Sequence, residues 1–322
     1  MAISHPMMAA SPSWPSHAPL PEGVDGDALL PELRQLAWGA AAILQAYARG
    51  EDPPYGFPRA LTVEQGGEGP VSAADLAVNR WLLEGLSGAF PDAPWALLSE
   101  ETASTQLATG QPIGSEWLWI LDPLDGTRDF LEGTGEYAVH LALVRNQRPV
   151  LGLVVLPEME ELWFGVVPSP QGPGVAWCEG RAGASRPPGL SRRHTAGELV
   201  LVASRSHRDA RLEQLLNALP IGSSRAMGSV GGKVATILRG EADVYISLSG
   251  KSAPKDWDMA APEAVLLAAG GAFSHADGEP LRYNTGDGLQ AGCLIASHGL
   301  AHGELCSKAA EAMADIDPHF AL

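Results

Sequence analysis

Three short acidic segments, far apart along the chain, place the strongest constraint on how it can fold. They contain Glu100 and Glu101, then Asp122 and Asp125, and finally Asp258. Isolated buried carboxylates are costly, whereas hard oxygen donors are the ligands that Mg2+ prefers. If the segments act together, the fold must bring residues from distant parts of the chain to one place. We therefore interpret four of these carboxylates, Glu100, Asp122, Asp125 and Asp258, as the ligands of a Mg2+ site.

The middle segment, residues 122–127, combines a strand end with a helix start. An apolar run around Trp117 precedes it, and Pro123 is expected to end the strand directly after Asp122. Free backbone N–H groups at a helix start near Gly126 suit a phosphate oxygen. The pattern predicts a metal and an anion in one corner, and the sequence has no His or Cys at zinc spacing nearby.

Two other interpretations of residues 122–127 remain open. The aspartates could form an Asx-type turn that only caps backbone donors. The segment also resembles the Asp-x-Asp-Gly-Thr motif of haloacid dehalogenases, in which the first Asp is a covalent nucleophile. Spacing argues against that motif, because here the aspartates are three positions apart, Pro123 follows the first, and the segment lies far from the N-terminus.

The three segments, in this order and at these distances, are similar to the signature of the inositol monophosphatase superfamily of Mg2+-dependent, lithium-sensitive phosphatases. The resemblance extends from about residue 30 to about residue 300, and three motifs in register are specific where one alone would be weak. It implies a layered αβαβα fold, an active site between the two halves, and two or three Mg2+ ions. The implied metal ligands are Glu100, Asp122, the backbone oxygen of Leu124, Asp125 and Asp258.

Other segments are similar to the 3'(2'),5'-bisphosphate nucleotidase branch of that family. They are Arg128-Asp129-Phe130, Gly135 to Val139, Ser204-Arg205-Ser206-His207, and Gly228-Ser229 followed by Lys233. The last departs from the branch pattern by one extra residue and by Val230 in place of a second Ser. The resemblance implies hydrolysis of the 3'-phosphate of adenosine 3',5'-bisphosphate to AMP, with its sulfated relative as a further substrate, in sulfate assimilation. The alternatives are a phosphatase for inositol or another sugar phosphate, and an inactive sensor of phosphorylated ligands.

Cations in the second half are candidates for holding the phosphate that is not cleaved. Arg205, His207, Arg208, Arg225 and Lys233 gather in two segments of an otherwise acidic half. The competing interpretation is a solvated surface with ordinary ion pairs. The substrate-binding residues predicted from this clustering and from the resemblance are Gly126, Thr127, Arg205, His207, Ser229, Lys233 and Asp258.

Asp75 has a structural and a functional interpretation. Ser72 precedes it by three positions, as in a capping box before an apolar-periodic run. The resemblance implies instead that Asp75 and Thr127 orient the attacking water. Glu100 and Glu101 complete the predicted catalytic residues, although Glu101 could equally be a solvent-facing neighbour. We expect direct attack by water, because no Ser, Cys or His in these motifs is arranged as a nucleophile beside a base.

Composition favours a soluble enzyme. The 322 residues carry a net charge of -17, which argues against nonspecific nucleic-acid binding, while divalent cations would invert the local field for an anionic substrate. Three widely spaced cysteines and the lack of an apolar stretch of transmembrane length predict a cytoplasmic protein without stable membrane association. The expected partner is a small phosphorylated nucleotide, and the oligomeric state is left open.

Apolar periodicity predicts two domains after an N-terminal lead-in. Residues 1–27, which mix Pro, Ser, Ala and His, are predicted to be disordered. Residues 28–175 begin with a helix and continue as a mixed sheet, which predicts an α+β metal-binding domain, and residues 176–322 alternate strands with helices, which predicts an α/β domain. The Gly-, Pro- and Arg-rich stretch 168–195 is expected to separate the two.

Overall fold

Within the described residues, a seven-stranded and a five-stranded sheet alternate with three layers of helices. The computed structural model describes residues 13–65, 70–195, 197–205, 209–249 and 253–320. Its helices are α1 (Gly26–Ala48), α2 (Ala73–Ala89), α3 (Glu100–Gln106), α4 (Thr127–Leu131), α5 (Ala210–Ala218), α6 (Val230–Leu238), α7 (Asp256–Ala268) and α8 (His302–Ile316), with short 3-10 helices at Pro54–Gly56 and Pro157–Met159.

The strands form the two large sheets and one small antiparallel pair. They are β1 (Val63–Gln65), β2 (Pro70–Ser72), β3 (Trp95–Ser99), β4 (Trp117–Asp125), β5 (Ala138–Arg145), β6 (Arg148–Leu156), β7 (Glu161–Val166), β8 (Val175–Gly180), β9 (Ser185–Arg186), β10 (Leu199–Ser204), β11 (Ile221–Met227), β12 (Val244–Leu248), β13 (Ala272–His275) and β14 (Cys293–Ser297).

The two large sheets differ in how their strands run. The first has the order β3-β4-β5-β6-β7-β8-β9, in which β3 and β4 are parallel and the later pairs are antiparallel. The second has the order β11-β10-β12-β14-β13, in which β10 is parallel to β11 and β12. The strands β12, β14 and β13 pair antiparallel. This agrees with the predicted mixed sheet in the first half and α/β pattern in the second.

Apolar faces hold the layers together. The stripe of α1 that includes Leu29, Leu33 and Leu44 packs with α2 on the outer face of the first sheet. Helices α6 and α7 lie between the two sheets, and α5 and α8 cover the far face of the second. Burial of these faces supplies most of the driving force for the αβαβα arrangement, which confirms the predicted fold class.

Two glycines allow α7 to lie directly on the first sheet. A Cβ atom on Gly152 in β6 would lie 2.7 Å from the carbonyl oxygen of Ala261, and one on Gly165 in β7 would lie 2.7 Å from the Cα atom of Val265. Any larger residue would push the helix away. This close packing fixes where the first turn of α7, which carries Asp258, meets the first sheet.

The structure differs from the sequence expectations in where the first sheet ends. Strands β8 and β9 extend it to Arg186, past the predicted boundary at residue 175 and within the stretch expected to act as a separator. Alternation explains the extension, because Trp177 packs on the α1 side of the sheet and Cys178 on the α7 side. The division of the chain into two domains stays a prediction.

Part of the predicted lead-in is packed against the first sheet. The ring of Trp14 meets Phe164 edge to face at 6.1 Å between centroids, and His17 Nε2 lies 2.9 Å from the carbonyl oxygen of Pro173. Disorder was therefore the wrong expectation for residues 13–25, while residues 1–12 lie outside the described part. None of the helices in the described ranges has both the length and the apolar character needed to cross a bilayer.

Candidate functional site

The first two acidic segments meet at one edge of the first sheet. Strands β3 and β4 are parallel neighbours, with Ser99 opposite Leu121, so both chains leave the sheet at the same end. Glu100 is the first residue of α3, and Asp122 is the next residue of β4. The parallel pairing therefore brings their carboxyl groups together.

An irregularity in β4 lets Asp122 and Asp125 face the same site. Contrary to expectation, Pro123 does not end the strand; β4 continues to Asp125, and its pairing with β5 shifts register between Asp122, opposite His140, and Asp125, opposite Ala138. Pro123 falls within this bulge, where its missing N–H breaks no ladder bond. Residues three apart in a regular strand point to opposite faces, so the extra residue is what allows both carboxylates to converge.

Asp258 completes a cluster of three carboxylates. Oxygen atoms of Asp122, Asp125 and Asp258 lie within 4.8 Å of one another. Asp258 lies in the first turn of α7, where its Oδ2 accepts a hydrogen bond from Lys255 N at 2.7 Å. Oxygen ligands at this spacing suit a hard divalent cation that keeps part of its water shell.

The electrostatics of this cluster favour a bound cation. Burial raises the pKa of Asp122 well above its usual range, and Glu100, Asp125 and Asp258 raise it further. Burial, then Asp258 and Glu101, raise the pKa of Glu100 in the same way. Burial and Asp125 raise the pKa of Asp258 to about 6. Because the carboxylates repel one another in a dry site, a divalent cation among them would lower the energy of their ionised forms.

Asp125 has a different environment from the other carboxylates. Burial alone would raise its pKa, but His140, Lys233 and the backbone N–H of Gly231 outweigh this effect and lower it. Gly231 N donates to Asp125 Oδ2 at 2.9 Å, and His140 Nε2 lies 3.2 Å from the same oxygen. Asp125 is therefore ionised more readily than its neighbours.

The two interpretations of Asp75 are compatible in the structure. Its Oδ2 accepts hydrogen bonds from Ser72 N at 2.8 Å and from Ser72 Oγ at 2.5 Å, which forms the capping box of α2. Its Oδ1 lies 3.1 Å from Thr127 Oγ1, which is also 3.2 Å from the carbonyl oxygen of Leu124. The predicted pair Asp75 and Thr127 thus lies beside the predicted backbone ligand Leu124.

Glu101 is partly buried rather than solvent-facing. Burial, followed by repulsion from Asp75, raises its pKa to about 7. A carboxyl group with that pKa can exchange a proton near neutral pH.

Gly126 makes the turn from β4 into α4. Its φ of +91° lies in the left-handed region, and a Cβ atom there would lie 3.1 Å from the carbonyl oxygen of Glu136. The turn places Thr127 at the start of α4, as the sequence predicts.

Ser229 and Lys233 are more deeply buried than a substrate contact requires. Ser229 is the N-cap of α6, and its Oγ accepts from Gly232 N at 2.9 Å. Lys233 is 2% exposed, and its ammonium group donates to Gly228 O and lies 5.3 Å from the centre of the Tyr245 ring. Direct contact of either side chain with a substrate stays a prediction.

The predicted arginine contacts are already paired. Arg205 forms ion pairs with Asp129 in α4 and with Glu136, the latter at 2.6 Å. Arg225 is exposed and pairs with Glu241 at 3.3 Å. His207 and Arg208 lie outside the described residues. The structure therefore brings Arg205 next to the turn that carries Thr127 and places Arg225 in a separate ion pair.

Sequence reasoning missed His140. It is fully buried on β5, directly opposite Asp122, and its Nδ1 lies 3.2 Å from the carbonyl oxygen of Trp257. The available signal was a polar residue within the otherwise apolar stretch 138–144, which costs energy to bury unless it has partners.

Known proteins match this chain in both sequence and fold. It matches the model of the inositol monophosphatase family over residues 27–314. The 3'(2'),5'-bisphosphate nucleotidase CysQ of Shigella flexneri is 32% identical over 258 residues, which cover 79% of this chain and 94% of that protein. The crystal structure of CysQ from Bacteroides thetaiotaomicron has a TM-score of 0.64 at 27% identity, covering 86% of this chain and 98% of that one.

The inositol monophosphatase of Thermotoga maritima shares the fold. It has a TM-score of 0.67 at 22% identity and covers 89% of this chain and 99% of that one. Together with the sequence matches, this confirms the predicted family, the predicted similarity to its bisphosphate nucleotidase branch, and the predicted layered architecture. The chain belongs to the inositol monophosphatase family.

Proposed function

We propose that this protein is a Mg2+-dependent phosphomonoesterase that hydrolyses the 3'-phosphate of adenosine 3',5'-bisphosphate to give AMP. The observation that carries the reaction class is the cluster of Asp122, Asp125 and Asp258 within 4.8 Å, beside the paired Asp75 and Thr127. The substrate class is supported by relatives named as bisphosphate nucleotidases, which align with most of the chain.

The described residues fit a divalent metal centre. Asp122, Asp125 and Asp258 would hold one ion, and Glu100 with Asp122 and the carbonyl oxygen of Leu124 would hold a second. The donor set is composed of oxygens, and the raised pKa values of Glu100, Asp122 and Asp258 are those of carboxylates that lack a cation. When bound, Mg2+ would lower the pKa of the attacking water and neutralise negative charge on the phosphate.

Asp75 and Thr127 would position the attacking water. Asp75 Oδ1 accepts the hydrogen of the Thr127 hydroxyl, so the lone pairs of Oγ1 would be available to accept a hydrogen bond from the attacking water. The two bonds from Ser72 hold the other oxygen of Asp75 in place. Glu101, with its pKa near 7, is suited to take up the released proton.

The remaining phosphate of the nucleotide would lie toward Arg205. That guanidinium group is partly exposed and lies beside α4, so it could exchange an acidic partner for a phosphate. Backbone N–H groups of Gly126 and Thr127, with His207 and Ser229, complete the proposed contacts. Lys233, which is buried, would act on the site through its charge.

We also propose a cytoplasmic role in sulfate assimilation, with lithium sensitivity and activity on the sulfated nucleotide. The three cysteines are free thiols and buried, which suits a reducing compartment.

Phosphate release tests the proposed function. The purified chain is assayed with Mg2+ on adenosine 3',5'-bisphosphate, inositol 1-phosphate and fructose 1,6-bisphosphate, each with and without a chelator. We expect the nucleotide to be hydrolysed with a kcat/KM at least tenfold higher than the others, and chelator to abolish turnover. Equal rates on all three substrates would refute the substrate assignment, and chelator-resistant turnover would refute the metal dependence.

A further inference from the structure

One buried imidazole contacts both ligand-bearing segments of the metal centre. His140 Nε2 lies 3.2 Å from Asp125 Oδ2, and His140 Nδ1 lies 3.2 Å from the carbonyl oxygen of Trp257. Asp125 ends β4 in the first sheet, and Trp257 immediately precedes Asp258 in α7. The ring therefore spans the gap between the metal ligands of the two halves.

Helix α6 is built against the same ring. A Cβ atom on Gly231 would lie 2.4 Å from His140 Nε2, so only glycine allows the helix to approach this closely. That approach lets Gly231 N donate to Asp125 Oδ2 at 2.9 Å. The same carboxylate oxygen thus meets one group from β5 and one from α6, which restricts the rotation of the Asp125 side chain.

Packing alone does not account for a histidine at this position. The neighbours of His140 on the same face of β5 are Ala138, Ala142 and Val144, all of them apolar and buried. An imidazole among them loses its hydration, and that loss has to be offset by polar contacts. Its two closest polar contacts are a proposed metal ligand and the backbone beside another.

We propose that His140 is a positioning residue of the metal centre, which holds the Asp125 carboxylate at a fixed distance from the first turn of α7. It would not touch the cation or the substrate. Its loss would let Asp125 rotate and would weaken cation binding while leaving the layers of the fold in place. The inference rests on the proposed metal dependence but not on which phosphate ester is hydrolysed.

The test is the Mg2+ dissociation constant of the full chain, measured by calorimetry without substrate. His140→Leu removes both polar contacts, and we expect binding to weaken about 10- to 100-fold, the range typical for partners of metal ligands. His140→Gln keeps an amide near the position of Nε2, and we expect it to bind between wild type and His140→Leu. Val144→Ala is the matched control, because it alters packing on the same face of β5 without a contact to the ligands; its affinity should stay within twofold of wild type.

Thermal unfolding in chelator separates positioning from a structural role. We expect the metal-free melting temperature of His140→Leu to fall no further than that of Val144→Ala. Binding by a folded His140→Leu variant within twofold of wild type would overturn the proposal. If His140→Leu does not fold, His140→Phe is measured in its place, and Mg2+ affinity within twofold of wild type would again overturn the proposal. Failure of both variants to fold would also overturn the proposal. A wild-type chain that binds Mg2+ but does not hydrolyse the nucleotide would contradict only the proposed substrate, so the two failures can be told apart.

Discussion

The acidic and the basic sides of the site differ in how their charges are compensated. Burial and mutual repulsion raise the pKa values of Glu100, Asp122 and Asp258, whereas for Asp125 alone among the predicted carboxylate ligands the neighbouring basic groups and a backbone N–H outweigh burial and lower the pKa. Arg205, in contrast, is paired with two acids. The structure therefore keeps a deficit of positive charge where we place the metal, and a balanced network where we place the nucleotide.

This difference predicts that the metal side should respond strongly to substitution and the nucleotide side weakly. A cation that binds among carboxylates with little other positive charge nearby lowers the local energy by the whole of the repulsion that it relieves. A phosphate that binds Arg205 must compete with Asp129 and Glu136, so the net gain is small.

The largest expected effect comes from Asp122→Asn. The amide keeps an oxygen that can accept from Leu124 N, as Asp122 Oδ1 does at 2.9 Å, but it removes the negative charge. We expect turnover to fall at least 1,000-fold, because charge stabilisation by the metal is worth several kcal/mol. The metal-free melting temperature should stay equal to or rise above that of wild type, since one repelling charge is lost; a substantial fall would show that Asp122 is chiefly structural.

Thr127→Val should be the next most severe change. It removes the hydroxyl that lies 3.1 Å from Asp75 and leaves the carboxylate ligands unaltered. We expect kcat to drop by about 100-fold or more, within the range of proton-transfer catalysis, with little change in the Mg2+ dissociation constant. Thr127→Ser is the control and should recover most of kcat; equal loss in both variants would remove the hydroxyl from the mechanism.

The stabilising effect of Mg2+ should grow with pH. The pKa of Asp258 rises from 3.8 to about 6 on folding, so the folded metal-free protein holds a proton that the unfolded chain loses, and stability decreases as pH rises through this window. Each pKa unit of such a shift changes the free energy of unfolding by about 1.4 kcal/mol. Asp125, whose pKa is lowered, changes stability in the opposite direction. Its stabilising contribution is lost only when the pH falls below the ordinary pKa of an Asp carboxyl group.

Melting curves at pH 5 and pH 8, with Mg2+ and with chelator, measure this linkage. We expect the rise in melting temperature caused by Mg2+ to be several degrees larger at pH 8. A rise that is the same at both values would contradict the view that the carboxylates are uncompensated without metal.

Arg205→Ala should have the smallest effect of the set. We expect the KM for adenosine 3',5'-bisphosphate to rise about three- to tenfold with kcat within twofold, because the guanidinium would bind the phosphate that is not cleaved. Arg225→Ala is the matched control, since Arg225 pairs with Glu241 elsewhere, and its KM should be unchanged. Equal KM values for the two variants would place Arg205 outside the nucleotide site.

The sequence predicted the layers better than the details of the site. Apolar periodicity predicted the first helix, the mixed sheet of the first half and the alternating strands and helices of the second, because burial of one face leaves a local pattern. The bulge at Pro123 was missed. A proline disrupts a strand only where its missing N–H would have bonded to the neighbouring strand, and the sequence does not show where that is. The lead-in around Trp14 was misjudged because its packing partner, Phe164, lies far along the chain.

Contacts between residues far apart in the chain also limit how much of the site can be predicted from the sequence. The acidic motifs could be read from local spacing, but His140 acquires its role only through Asp125 and Trp257, which lie on other elements. The burial of Lys233 follows from the seating of α6 between the two sheets, which no local pattern specifies.

Anomalous diffraction from a crystal soaked in Mn2+, a stand-in for Mg2+, tests the central claim most directly. We expect at least one peak at coordinating distance from carboxylate oxygens of Asp122, Asp125 and Asp258, and a second beside Glu100. A map with the crystal fully soaked and no peak among these oxygens would contradict the proposed metal centre and the phosphatase mechanism built on it.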